Sequence, residues 1–310
     1  MIDVVCLGIL VADVIARPVG AVRHGAVTLV DDVSLHGGGC ALNTATGLTR
    51  LGLDTAVVGK VGADHFGDYL VDLLTSRAID TSGVARDAGA STSATVVLVD
   101  GDGERSFLHV PGANAELRAD DVPFDLVRGA RALHVAGALV MAELDGEPTA
   151  GVLERARDEG VKTSLDTVYD ASGGWARLEP CLPHLDLLTA SLPEAASVSG
   201  ESDPARASAW FRSRGVGDVA VKLGAAGCFV AGDEFEGEVP AYPVQAIDGT
   251  GAGDAFAAGL IYGRLAGWSL CDAARLGNAA GALAASAVGA TEGLLDLEGT
   301  LAFAGLEEAA

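Results

Sequence analysis

The stretch Asp248-Gly249-Thr250-Gly251-Ala252-Gly253-Asp254-Ala255-Phe256 decides how this chain is read. It follows a strand-like run from Glu238 to Ile247 and opens a helix predicted over Gly253–Leu265, whose small residues allow close packing. Gly251, Ala252 and Gly253 then present bare backbone N–H groups at a helix N-terminus, a ready-made site for a phosphate. Asp254, in that first turn, is by itself an ordinary favourable acidic residue at the positive end of a helix. A carboxylate beside an anion-binding loop also repels the phosphate, so a second role is indicated: accepting a proton from an attacking hydroxyl.

Outward from this motif, short apolar runs alternate with amphipathic stretches. Strands are predicted at Ile2–Leu7, Thr55–Val58, Ala132–Val135, Lys162–Leu165, Leu185–Leu188, Val219–Leu223 and Cys228–Val230. Helices are predicted at Asn43–Leu51, Phe66–Arg77, Pro148–Glu159, Pro204–Arg214 and Leu270–Ala287. That alternation predicts an α/β fold with a central, mainly parallel sheet flanked by helices on both faces. Two segments break the rhythm, about 11–33 and 92–110; both are rich in β-branched residues and lack a helical period. The second contains a Gly101-Asp102-Gly103 turn typical of a hairpin. These segments are expected to form a small separate antiparallel sheet, a discontinuous β-lid on one domain spanning 1–310.

The formal net charge of −23 argues against non-specific binding to nucleic acid or to an anionic membrane. Any anionic ligand must therefore meet locally placed donors. Only three of the 20 basic residues are lysine (Lys60, Lys162, Lys222); GC-rich coding and adaptation to high salt both fit that bias. No apolar run reaches the roughly 18 residues of a membrane helix, and the start of the chain lacks the basic region of a signal peptide. Cysteines 6, 40, 181, 228 and 271 form no C-x-x-C pair, as expected of buried thiols in a reducing cytoplasm.

A second glycine motif stands at Gly37-Gly38-Gly39-Cys40-Ala41-Leu42-Asn43, followed by Gly52 and Gly62. Its glycines permit close backbone approach to a ligand, and Asn43 offers a donor and an acceptor, or simply an N-cap. Neither motif has the G-x-G-x-x-G spacing of a dinucleotide fold, and no G-x-x-x-x-G-K-[ST] loop occurs. Together the two motifs resemble the PfkB/ribokinase family of carbohydrate kinases. The likeness continues through Val61-Gly62-Ala63-Asp64, Pro111-Gly112-Ala113-Asn114, Lys222-Leu223-Gly224-Ala225-Ala226-Gly227 and Asn278-Ala279-Ala280-Gly281, to about residue 293.

This resemblance implies an enzyme that transfers the γ-phosphoryl group of ATP to a sugar-like alcohol, with Asp254 as base and Gly251–Gly253 as the anion hole. It implies sugar contacts from Asp13, Gly38, Gly39 and Asn43. Adenine would lie between the Lys222–Gly227 turn, including Gly224 and Gly227, and the helix carrying Asn278. Thr250 and Glu194 would serve the nucleotide, Asp248 a potassium ion, and magnesium would bridge the phosphates. Three departures stand out: Ser191 replaces Asn in Ser191-Leu192-Pro193-Glu194, the segment Asp166-Thr167-Val168-Tyr169-Asp170 lacks the Asn and Arg of fructokinases and ketodeoxygluconate kinases, and Cys40 replaces a lysine of ribokinases. A nucleoside kinase and a non-catalytic sugar-binding protein remain alternatives; the first would need a more apolar lid, the second no base. Glu143, Arg105 and His109 are further substrate-contact candidates. Val96, Val97, Leu98 and Val99 place apolar groups on both sides of one lid strand, so a homodimer through the lids is expected.

Overall fold

Val4-Val5-Cys6-Leu7-Gly8 is buried at every position, because the sheet it joins is covered on both faces. In the computed structural model, which describes residues 1–168 and 173–307, this strand is β1. Its side chains alternate, with Val5 and Leu7 entering one apolar core and Val4 and Cys6 the other. The next strands are β2 (Val11–Arg17), β3 (Asp32–Gly38), β4 (Thr55–Gly62), β5 (Asp80–Asp87), β6 (Ala94–Val99) and β7 (Arg105–Val110). They are followed by β8 (Ala132–Ala138), β9 (Lys162–Thr167), β10 (Leu187–Ser191), β11 (Asp218–Lys222), β12 (Gly227–Ala231) and β13 (Glu236–Pro240). The α-helices are α1 (Cys40–Arg50), α2 (His65–Ser76), α3 (Phe124–Arg128), α4 (Glu147–Asp158) and α5 (Leu192–Ser199). Then come α6 (Pro204–Arg212), α7 (Ala252–Leu265), α8 (Leu270–Ala285) and α9 (Leu297–Ala304).

Nine strands form the large sheet in the order β13-β12-β11-β10-β9-β8-β1-β4-β5. Pairing is parallel from β11 to β5 and antiparallel only at the β11-β12-β13 edge. The order reverses around β1, and in such sheets ligands bind beyond the carboxyl ends of the strands at that switch point. The expected parallel α/β core is therefore present. Among the described residues no helix is long and apolar enough to cross a membrane.

The second sheet has the order β3-β2-β6-β7 and differs from expectation in two respects. Its strand β3 runs to Gly38, so the glycine motif begins inside the lid. It is mixed, because β2 and β6 pair in parallel. The chain returns to the large sheet between β3 and β6, so β2 and β6 both enter the lid from the same side. A third difference concerns Glu238–Ile247: only Glu236–Pro240 pairs as a strand. Pro240 and Pro243 lack the N–H that a continuing ladder needs, and the following residues instead wall the main cavity.

Two polar clamps, one buried and one half-buried, fix the base of the lid. Asn114 accepts from the Leu10 N–H (3.1 Å) and donates to the Leu10 carbonyl (2.9 Å), pinning the link between β1 and β2. Asp64 caps α2 through the Gly67 N–H and also accepts from the Thr92 N–H and hydroxyl, pinning the entry to β6. These contacts explain two of the motifs read from the sequence as hinge chemistry. Replacing Asn114 by Ala strands both polar groups of Leu10 in a buried site, which costs about 1–3 kcal/mol. The expected result is a lower urea midpoint with an unchanged m-value; an unchanged midpoint would contradict this reading of the hinge.

Candidate functional site

The turn before α7 is built on Asp248. Its carboxylate accepts from the Thr250 N–H (2.9 Å) and the Gly289 N–H (3.0 Å), tying residues 248–250 to the loop after α8. Gly251 caps α7 in the left-handed region (φ 74°), and a Cβ there would lie 2.5 Å from the Ala290 carbonyl oxygen. Only glycine fits. The helix that starts at Ala252 directs its first-turn N–H groups out of this turn, where an anion can meet them.

Asp254 is buried in that first turn. The Asn43 amide, from α1, donates to its Oδ2 at 2.8 Å. Burial, followed by the negative charge of Asp166, pushes the Asp254 carboxyl up to about 7, against the opposing pull of Asn43, the Lys222 ammonium and the Cys40 thiol. The Asn43 Oδ1 is buried and has no partner among the described residues. An unsatisfied buried acceptor beside a poised carboxylate is a place for a hydroxyl donor. Asn43 is thus not the N-cap of α1; Gly39 holds that position.

A cavity of about 660 Å³ opens from Asp254 and is lined by Gly251, Ala252, Gly253, Lys222 and Glu194. Gly224, Gly227 and Asn278 line it as well. Lys222 stands at the anion-hole end: its ammonium pairs with Asp166 at 2.6 Å and lies 3.2 Å from where a Gly253 Cβ would be. Burial would lower its pKa, but the carboxylates of Asp166 and Glu194 outweigh that and raise it, so the charge is retained. Asp166, a partner the sequence did not point to, is itself held by the Thr189 hydroxyl (2.6 Å). The Asn278 amide donates to the carbonyls of Val239 and Pro240, so this residue shapes the cavity wall by holding the end of β13 against α8.

The substitution of Ser191 for Asn has a local explanation. Ser191 is the N-cap of α5, its hydroxyl accepting from the Glu194 N–H, while Glu194 reaches back to the Ser191 N–H (2.7 Å). This is a capping box, and Ser191-Leu192-Pro193-Glu194 carries its sequence signature. The same Glu194 oxygen also accepts from the Thr167 hydroxyl (3.0 Å).

Across the site, the lid presents a polar row. Register pairs His36, Asp13, Thr95 and His109 side by side on the four strands. Asp13 packs on Gly38, where a Cβ would meet its Oδ2 at 2.2 Å, so the sheet closes there only over glycine. Burial raises the Asp13 carboxyl, with the Thr95 hydroxyl and His36 opposing. Arg105, at the start of β7, reaches over to the anion-hole turn and donates to Asp248 Oδ1 (2.8 Å) and the Thr250 hydroxyl (3.0 Å). Asp248 therefore faces a guanidinium, not an open pocket. Burial would raise its carboxyl, but the hydrogen bonds from Arg105, Thr250 and Gly289 hold it far below the usual range. Glu143 lies apart from the site, exposed and paired with Arg118. Tyr169 and Asp170 fall outside the described residues.

A doubly covered α/β sheet, a hinged β-lid and a buried carboxylate at a glycine-rich helix start define a ribokinase-like fold equipped for phosphoryl transfer. The comparisons agree. Residues 1–297 match the pfkB family carbohydrate kinase pattern. An "uncharacterized sugar kinase" of Archaeoglobus fulgidus is 32% identical over 249 residues, covering 80% of this chain and 98% of that protein. A Klebsiella pneumoniae fructokinase is 33% identical, covering 83% and 88%. A ribokinase-like protein of Escherichia coli, solved with ATP and Mg2+, superposes with a TM-score of 0.85 at 25% identity, covering 98% and 99%. This chain belongs to the pfkB family of carbohydrate kinases.

The capping box yields a direct test. Ser191→Ala is expected to cost about 1 kcal/mol of stability, and Ser191→Asn, another good N-cap, a few tenths at most. Equal losses in thermal denaturation of the two variants would show that the cap contributes nothing.

Proposed function

We propose that the chain transfers the γ-phosphoryl group of ATP to a hydroxyl of a sugar or sugar-like alcohol, with Asp254 as the general base. The observation that carries this reading is the Asn43–Asp254 pair at the start of α7. A carboxylate raised to about 7 takes a hydroxyl proton more readily than one near 4. Gly251, Ala252 and Gly253 stabilise charge on the transferring group, and the Lys222 ammonium adds a positive charge beside them. Gly224, Gly227 and Asn278 wall the nucleotide end of the cavity, with Thr250 on the turn between nucleotide and lid. Asp13, Gly38, Gly39 and Asn43 surround the acceptor.

Magnesium arriving with ATP would offset charge on the β- and γ-phosphate oxygens. Among the described residues no three His, Cys, Asp or Glu side chains converge on a metal site. Glu194 and Asp166, which line the cavity, would face such an ion through water. The clamps on Leu10 and Thr92 attach the lid to the large sheet at two points.

A sugar is favoured over a nucleoside by the polar row His36, Asp13, Thr95 and His109, which offers hydrogen bonds suited to an acceptor rich in hydroxyls. The named fructokinase among the relatives makes fructose the first acceptor to test. The Asn and Arg absent from the Asp166 segment make other sugars and sugar acids the next. Retention of the base separates this reading from a non-catalytic sugar-binding protein, which needs none.

Asp254→Asn is expected to lower kcat by at least ~10²-fold while leaving ATP binding nearly intact. In the wild type, kcat/KM should fall as pH drops through about 7, because the base acts only when ionised. Near-normal turnover of the variant, or an acid limb close to 4, would remove Asp254 from that role.

The outer face of the lid leads to a second reading, a homodimer. Leu35, Val14, Val96 and Leu108 form one apolar row across all four strands. Leu108 is 64% exposed and neighbouring Val33 is 62% exposed. Pairing two lids through this face would bury it. Light scattering is expected to return twice the 31.1 kDa chain mass at micromolar concentration; the mass of one chain would contradict it.

A further inference from the structure

Arg105 and Asp248 are 143 residues apart in sequence and belong to different sheets' surroundings, yet they form a half-buried contact at the mouth of the anion hole. The side chain of Asp248 is 7% exposed, and that of Arg105 33%. Three groups converge on this carboxylate. The Arg105 guanidinium and the Thr250 N–H donate to Oδ1, and the Gly289 N–H donates to Oδ2. Arg105 also donates to the Thr250 hydroxyl, so one guanidinium grips both ends of the turn leading into Gly251.

A monovalent cation is held by oxygen atoms pointing at a common centre. Here the lid-facing oxygen of Asp248 is already paired with the permanent positive charge of Arg105, and its other oxygen accepts an N–H. A second cation on this carboxylate would sit close to the guanidinium and be repelled by it. The residues present do not fit the potassium ion that the family resemblance implies for Asp248.

We propose that Arg105 replaces that ion. Resting on the kinase reading above, Arg105 acts as a positioning residue: lid closure brings its guanidinium onto Asp248 and Thr250, and this sets the turn that aims the anion-hole N–H groups. Because the charge is carried by the lid, the hole is completed only when the lid covers the acceptor, and no dissolved monovalent cation is required. An arginine suits this role because it cannot lose its proton and offers several fixed donors. It also supplies local positive charge in a chain whose net charge of −23 opposes the approach of a nucleotide.

The test compares the wild type with Arg105→Gln and Arg105→Lys in sodium, potassium and tetramethylammonium chloride at equal ionic strength and fixed magnesium. Calorimetry reads binding of a non-hydrolysable ATP analogue, and a coupled assay reads kcat and acceptor KM. Wild-type affinity and kcat are expected to vary by less than about twofold among the salts. Arg105→Gln should lose about tenfold or more in kcat without potassium, with a smaller change in acceptor KM, and should regain activity as potassium is added. Arg105→Lys should stay active and indifferent to the salt, and both variants should melt close to the wild type. Nucleotide binding or turnover by the wild type that demands potassium would overturn the proposal. So would an Arg105→Gln variant altered only in acceptor KM and deaf to potassium, which would make Arg105 a substrate contact alone. Absence of nucleotide binding in every salt would instead defeat the kinase reading.

Discussion

The hydrogen bond from the Asn43 amide to the Asp254 carboxylate is the contact around which the site is organised. It joins the first helix after the lid to the helix that opens on the anion hole, across 211 residues of sequence. A buried carboxylate with no donor would be costly and would hold its proton. One amide donor, with the Lys222 ammonium nearby, offsets part of that cost but leaves the pKa high. Asp254 is thus neither a firmly ionised anion that would repel phosphate nor a fixed neutral acid. Asp166 stands on both sides of this balance, pairing with Lys222 while pressing the Asp254 pKa upward.

The fold explains how so acidic a chain gathers positive charge where an anion must bind. The positive end of α7, Lys222 from the end of β11 and Arg105 from the lid all converge on one turn, each from a separate part of the topology. Each positive side chain is paired with a carboxylate that holds it in place. The clamps on Leu10 and Thr92 leave the lid two fixed points of attachment to the large sheet.

Much of this was legible in the sequence because its signals are local. Glycines before a helix, an acidic first-turn residue and alternating apolar runs each report chemistry within a few neighbouring residues, and the strands and helices they predict are present. The capping box at Ser191 is equally local, written in Ser191-Leu192-Pro193-Glu194 itself. What the sequence hid is long-range. The Lys222–Asp166 pair spans 56 residues and moves the ammonium from the nucleotide end to the anion hole. The Arg105–Asp248 pair changes the meaning of a residue expected to hold a cation. The parallel β2–β6 pairing depends on where the chain re-enters the lid, which no local pattern records, and the end of β13 at Pro240 follows from prolines that a hydrophobic run conceals.

The central claim, that Asp254 is a buried carboxyl tuned to the neutral range with Asn43 as its main donor, is tested most directly by following its side-chain carboxyl carbon by NMR in the unliganded protein. The account predicts a titration midpoint near 7, moving higher in Asn43→Ala, because removal of the donor destabilises the ionised form. A midpoint in the ordinary carboxylate range of about 4, unmoved by the Asn43 substitution, would contradict it.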